Sequence, residues 1–129
     1  MSNPRSQPQT ILVIEDEAQI LEILKALLEG EGYRVLAASR PSEGLKLYAE
    51  HWPSVQLVLT DYMMPEMTGD KVFAALKKIN PGVAVLLVTG SGDFSHQDLI
   101  AQGLRGRVRK PFHLDEIVAK VKEVIESTG

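Results

Sequence analysis

Cysteine is absent from the 129 residues, which rules out a disulfide framework and a thiolate metal site alike. There is no excess of positive charge: 14 Lys and Arg stand against 17 Asp and Glu, for a net charge of −3. That balance argues against a nucleic-acid binder driven by phosphate contacts. No apolar run approaches membrane-spanning length, and the polar, proline-containing first residues lack the apolar core of a signal peptide. No internal repeat occurs, and the three histidines, His51, His96 and His113, show no metal-ligand spacing. The expectation is a soluble, cytoplasmic protein with no nucleic-acid and no membrane partner. Its length fits one domain with a real core and no second. Residues 1–9 read as a disordered lead-in and 10–129 as the domain.

What is present is a fivefold alternation of strand and helix signals. Strands read at 11–14, 33–38, 55–60, 83–89 and 106–109. The middle ones are continuous apolar runs, as expected where both faces of a sheet are covered. Ile20, Leu21, Leu24, Leu27 and Leu28 form the stripe of a first helix. Leu45, Tyr48, Ala49 and Trp52 form a second, with Ser39 as its N-cap. Val72, Phe73, Leu76 and Ile79 mark a third, stopped by Asn80-Pro81-Gly82, and Leu114, Ile117, Val118, Val121 and Ile125 mark the last. Between Gly92 and Gly103 the apolar residues are sparse, so the fourth helix is expected to be the least stable element. Gly44 lies inside the second helix at a cost of roughly 1 kcal/mol against alanine and receives no role. Short connections between alternating units imply a parallel sheet with right-handed crossovers and helices on both faces, an α/β doubly wound sandwich.

Chemistry collects at the strand ends. Glu15 and Asp16 follow the first strand, Asp61 closes the third, Thr89 the fourth, and Lys110 follows the fifth. In a parallel sheet these ends share one edge, where open α/β folds place their sites. Three acids crowded together repel, and a divalent cation offsets the repulsion. An oxygen-only ligand set favours Mg²⁺, with Mn²⁺ as a substitute, over zinc. Lys110 offers a mobile cation and Thr89 a neutral donor to a phosphoryl oxygen, which leaves Asp61 as the carboxylate to attack phosphorus.

With these residues in order, the chain resembles the receiver domain of bacterial two-component response regulators, from Thr10 to about Ser127. The matching pieces are Glu15-Asp16, the Asp61…Met64-Pro65…Gly69 segment, Thr89-Gly90 and Lys110-Pro111-Phe112. The resemblance implies a flavodoxin-like (βα)5 sandwich with strand order 2-1-3-4-5. It implies Asp61 as phosphoacceptor and Glu15, Asp16, Asp61 and the Met63 backbone carbonyl as magnesium ligands. Thr89 and Lys110 become phosphoryl contacts, with a cis bond before Pro111 aiming the lysine. The implied partners are a sensor histidine kinase or phosphotransfer protein, and a downstream protein docking on the face formed by helix 4, strand 5 and helix 5. The wording around Asn80-Pro81-Gly82 and residues 104–112 is similar to receivers fused to hybrid histidine kinases.

One residue departs from the family pattern. Receivers commonly carry Tyr or Phe three residues before the lysine, and Arg107 stands there instead. A guanidinium does not take a ring's inward position without a partner. It is expected at the surface, where Arg105, Arg107 and Arg109 give the last strand one basic face, either as edge protection or as a docking surface for acids. Three rival readings remain. An aspartyl-nucleophile phosphatase of the haloacid-dehalogenase type wants a second Asp two residues on, where this chain has Met63. A flavodoxin-like cofactor binder wants a phosphate-cradling loop after the first strand. A degenerate receiver would act as an interaction module without phosphorylation.

Overall fold

In the computed structural model, residues 8–90 and 96–128 are described. Five strands, β1 (Thr10–Ile14), β2 (Arg34–Ala38), β3 (Val55–Asp61), β4 (Val85–Thr89) and β5 (Gly106–Arg109), alternate with five helices. These are α1 (Ala18–Gly30), α2 (Pro41–His51), α3 (Gly69–Ile79), α4 (His96–Ala101) and α5 (Leu114–Thr128), with a 3-10 turn at Trp52–Ser54 before β3. The strands pair in parallel in the order β2-β1-β3-β4-β5, as the chain's resemblance implies.

The apolar strand runs divide by alternation between two cores. Ile11, Val13, Leu57, Leu59 and Val88 face α1 and α5, meeting Leu24, Leu28, Ile117 and Val121. Leu12, Ile14, Val58, Val85 and Leu87 face the other way, onto Tyr48 of α2, Phe73 and Leu76 of α3 and Leu99 of α4. All five residues of β1 and of β4 are buried, which is why neither strand shows a polar face.

Several expected details shift. The N-cap position of α2 is Arg40 rather than Ser39 and makes no side-chain capping bond, because Pro41 takes the first helical position and fixes the start one residue later. Its buried face is Pro41, Gly44 and Tyr48 with Leu45 beside them, whereas Ala49 and Trp52 are exposed. Gly44 explains the shift: a Cβ there would meet Ile14 Cγ1 at 2.6 Å and clash with Cδ1 as well. The glycine lets the helix lie directly on β1, so it has a packing role that its sequence context did not suggest. In α5, Leu114 is exposed, while Val124 joins the core. Helix α4 is described over His96–Ala101, and its expected start near Asp93 lies outside the described residues, as do residues 1–7 of the expected disordered lead-in. Gln9, also assigned to the lead-in, already accepts the Arg34 N–H at 2.8 Å.

Candidate functional site

Strand order reverses between β1 and β3, the place where doubly wound sheets open a crevice beyond their carboxyl ends. Register brings the candidate residues there. Ile14 is level with Thr60, so Glu15 follows beside Asp61, and Asp61 is level with Val88, one residue short of Thr89. Carboxylate oxygens of Glu15, Asp16 and Asp61 all lie within 4.8 Å of one another. Asp16 is the most open of the three, and Glu15 and Asp61 are buried.

Lys110 reaches Asp61 from the end of β5, with its Nζ 3.2 Å from each carboxylate oxygen. The Lys110–Pro111 peptide is cis, as the resemblance implies. The Tyr62 N–H donates to Asp61 Oδ1 at 3.0 Å, and Glu15 Oε2 accepts the Glu17 N–H at 3.0 Å. When all are ionised, three carboxylates against one ammonium leave a surplus of two negative charges, the charge of one divalent cation.

The titration behaviour carries the same message. Burial raises Glu15 from 4.5 to about 7, with the Glu17 N–H opposing and the Asp61 charge adding to the rise. Burial also pushes Asp61 up, and the Lys110 charge and hydrogen bond offset only part of that. Burial alone would lower Lys110, but the charge and hydrogen bond of Asp61 together with the Glu15 and Glu17 charges outweigh it and leave the lysine raised. Burial thus makes the ionised forms of Glu15 and Asp61 costly at a site rich in oxygen donors. Those donors fit a hard cation: oxygen ligands, partly solvated through Asp16, with room in the shell for phosphoryl oxygens.

Thr89 supplies a second sign of an absent partner. Its side chain is fully buried, yet Oγ1 has no hydrogen-bond partner among the described residues. Orphaning a buried hydroxyl costs on the order of 1–3 kcal/mol. A phosphoryl oxygen in the crevice is an acceptor of the right kind for it.

The loop from β3 to α3 is closed by close packing. The Gly69 N–H donates to Tyr62 O at 2.6 Å, and a Cβ on Gly69 would stand 2.9 Å from Asp61 O and from Tyr62 Cα. Only glycine lets α3 begin against the strand end that carries Asp61. Met64 is buried and Met67 partly so, whereas Met63 is 59 % exposed. Arg107 is half-buried, flanked by exposed Arg105 and Arg109, on the face of β5 opposite Val108. Glu66 was overlooked in the sequence. From this loop it accepts both the N–H (2.9 Å) and the hydroxyl (3.2 Å) of Ser42 on α2, contacts that no local sequence pattern announces.

Comparison with known proteins gives a consistent answer. The model of the response regulator receiver domain matches residues 11–122. A probable transcriptional regulatory protein, TcrX of Mycobacterium tuberculosis, is 33% identical over 132 residues, covering 100% of this chain and 55% of its own length. The sensor kinase CckA of Brucella abortus is 32% identical over 118 residues, covering 91% of this chain and 12% of its own length. The chain thus spans about half, or less, of the curated relatives it matches. Among solved structures, a response regulator receiver domain protein from Clostridium thermocellum superposes with a TM-score of 0.86 at 37% identity, covering 92% of this chain and 95% of that one.

Proposed function

The chain belongs to the response regulator receiver domain family, whose members are phosphoacceptor signalling switches rather than enzymes, and we propose that Asp61 is the residue phosphorylated here. The observation that carries this reading is the convergence, at the β3 end that bears Asp61, of a lysine, an acid pair and a buried hydroxyl with no partner among the described residues, from three other strand ends. The donor is a phosphohistidine on a sensor histidine kinase or phosphotransfer protein. An Asp61 carboxylate oxygen attacks phosphorus, the N–P bond breaks, and the imidazole leaves with the bonding electrons. The product is an aspartyl phosphate.

Glu15, Asp16, Asp61 and the Met63 carbonyl would hold Mg²⁺, with Mn²⁺ as a substitute. When bound, it would offset the charge of the acid cluster and polarise the incoming phosphoryl oxygens. Lys110, paired with Asp61 before transfer, shifts to a phosphoryl oxygen as the carboxylate is esterified. The Thr89 hydroxyl donates to another phosphoryl oxygen and gains the partner it lacks. Slow hydrolysis of the acyl phosphate by water resets the switch.

The output surface is the α4–β5–α5 face. Movement of Thr89 toward the phosphoryl group is passed to the short α4, and couplings of this kind are worth about 1–3 kcal/mol. Arg105, Arg107 and Arg109 offer charge to an acidic partner along β5. Arg107 is not an internal gate in this reading. The functional domain comprises residues 10–129.

Incubating the protein with Mg²⁺ and acetyl phosphate should add one base-labile phosphoryl group, and Asp61→Asn should take up none. Equal labelling of Asp61→Asn and the parent would show the assignment to be wrong. No labelling of the parent by either acetyl phosphate or a phosphohistidine donor would favour the phosphorylation-independent interaction module.

A further inference from the structure

The loop of residues 62–68 is pinned at both ends and nearly free at its crest. The Tyr62 N–H bonds Val88 O at 2.9 Å, the Gly69 N–H closes on Tyr62 O, and Met64 is buried in the core. Pro65 and Glu66, by contrast, are exposed. The crest has one lateral tether. Glu66 Oε1 accepts the Ser42 N–H at 2.9 Å, Oε2 accepts the Ser42 hydroxyl at 3.2 Å, and the Arg40 guanidinium stands 3.8 Å from Oε2.

The tether is built for an anion. Ser42 lies in the first turn of α2, where backbone N–H groups have no intrahelical partner and the dipole favours negative charge. Arg40, the N-cap residue of α2, makes no side-chain capping bond. A carboxylate from a different element does the capping instead, 24 residues along the chain. These contacts hold Glu66 below the usual carboxylate range, first through the Ser42 N–H. Asp16, Arg40, Pro65 and Glu66 together line a groove of about 360 Å³, so the tethered crest forms one wall of a space whose other wall carries an acid of the cluster.

We propose that Glu66 is a positioning residue for the metal-binding half of the site: by clamping the crest to α2 it fixes the loop that carries the Met63 carbonyl and sets the gap to Asp16. This rests on the reading of Glu15, Asp16 and Asp61 as a magnesium site. Glu66 touches neither the phosphoryl group nor the metal. Its effect is to supply pre-ordered geometry, so that less loop ordering accompanies binding.

The test is calorimetric titration of the full chain with MgCl₂, without phosphodonor, beside acetyl phosphate labelling across magnesium concentrations. Glu66→Ala should raise the half-saturating magnesium concentration ~3–10-fold, somewhat below the usual effect of removing a direct support of a ligand. Its labelling rate at saturating magnesium should stay within about twofold of the parent, since the tether acts through metal binding and not on the attacking oxygen. Glu66→Gln, which keeps an acceptor for the Ser42 N–H, should recover most of the affinity. Glu43→Ala is the control. It removes the 2.8 Å bond from the Ser39 N–H to Glu43 Oε1, loosening the same end of α2 without touching the loop. It should leave the magnesium midpoint in place. Equal shifts in Glu43→Ala and Glu66→Ala, or no shift in Glu66→Ala, overturn the positioning role and leave the functional reading standing. A parent chain that binds no magnesium overturns both.

Discussion

At the amino end of the sheet, β3 slips register against β1 at Gln56, and the Gln56 side chain repairs the gap by accepting the Thr10 N–H at 2.7 Å. Asn80 does similar work nearby, donating to Tyr48 Oη at 3.1 Å and accepting the Gly82 N–H at 3.1 Å. At the carboxyl end the sheet finishes with a Thr89 hydroxyl that has no partner among the described residues and with three clustered carboxylates, one of them bound to Lys110. Both ends hold polar groups against a hydrophobic core, and among the described residues the buried hydroxyl left without a partner is at the carboxyl end. Because burying an unpaired polar group is costly, the unsatisfied end is the one that stands to gain from a ligand. The difference separates the end that anchors the fold from the end that works.

The contrast should be sharpest with pH. Glu15 titrates at about 7 in the folded protein against its ordinary 4.5. Between those values the folded state keeps a proton that the unfolded chain has lost. With respect to this group, metal-free protein loses stability as pH rises from about 4.5, and the loss is complete above about 7. The size is on the order of 3 kcal/mol. Asp61 shifts in the same direction, and the raised Lys110 acts only in alkali. Urea unfolding in EDTA should therefore give a lower midpoint at pH 8 than at pH 5.5, and Mg²⁺ should recover much of the difference at pH 8. A midpoint indifferent to both variables would erase the distinction between the two ends.

Thr89→Val should expose the distinction through opposite signs. Removing an unpartnered buried hydroxyl should stabilise the unphosphorylated protein by about 1 kcal/mol. The same change should reduce the response of the α4 residues to beryllofluoride in hydrogen exchange, because the donor to the phosphoryl mimic is gone. A destabilised Thr89→Val would mean that the hydroxyl has a partner after all.

Tyr48→Phe is the mirror experiment at the amino end. It deletes the acceptor of Asn80 Nδ2 and should cost ~0.5–1 kcal/mol, with no change in Asp61 labelling. If labelling falls along with stability, the two ends are not independent.

The site was more legible than the packing around it. Acids, hydroxyl and lysine each follow a run of apolar residues, so once the runs are strands of one parallel sheet their ends must meet. The α2 face shows the opposite case. Leu45, Tyr48, Ala49 and Trp52 satisfy helical spacing, yet the buried face is Pro41, Gly44 and Tyr48. Periodicity gives the pitch of a stripe but not its phase when a glycine is among the contact residues. Phase was settled by Ile14, thirty positions away, which needs the space that Gly44 leaves.

The chain itself determined the alternation of elements, the covered sheet and the edge at which Glu15, Asp16, Asp61, Thr89 and Lys110 assemble, because apolar runs and their punctuation are local properties. Tertiary structure decided which polar atoms were served from elsewhere and which were not: Lys110 bound to Asp61, α2 capped by Glu66, and Thr89 without a partner among the described residues. Those outcomes depend on distances between segments that are far apart in sequence. Hydrogen bonding is decided over a few tenths of an ångström, and only the packed sheet and helices set positions that finely.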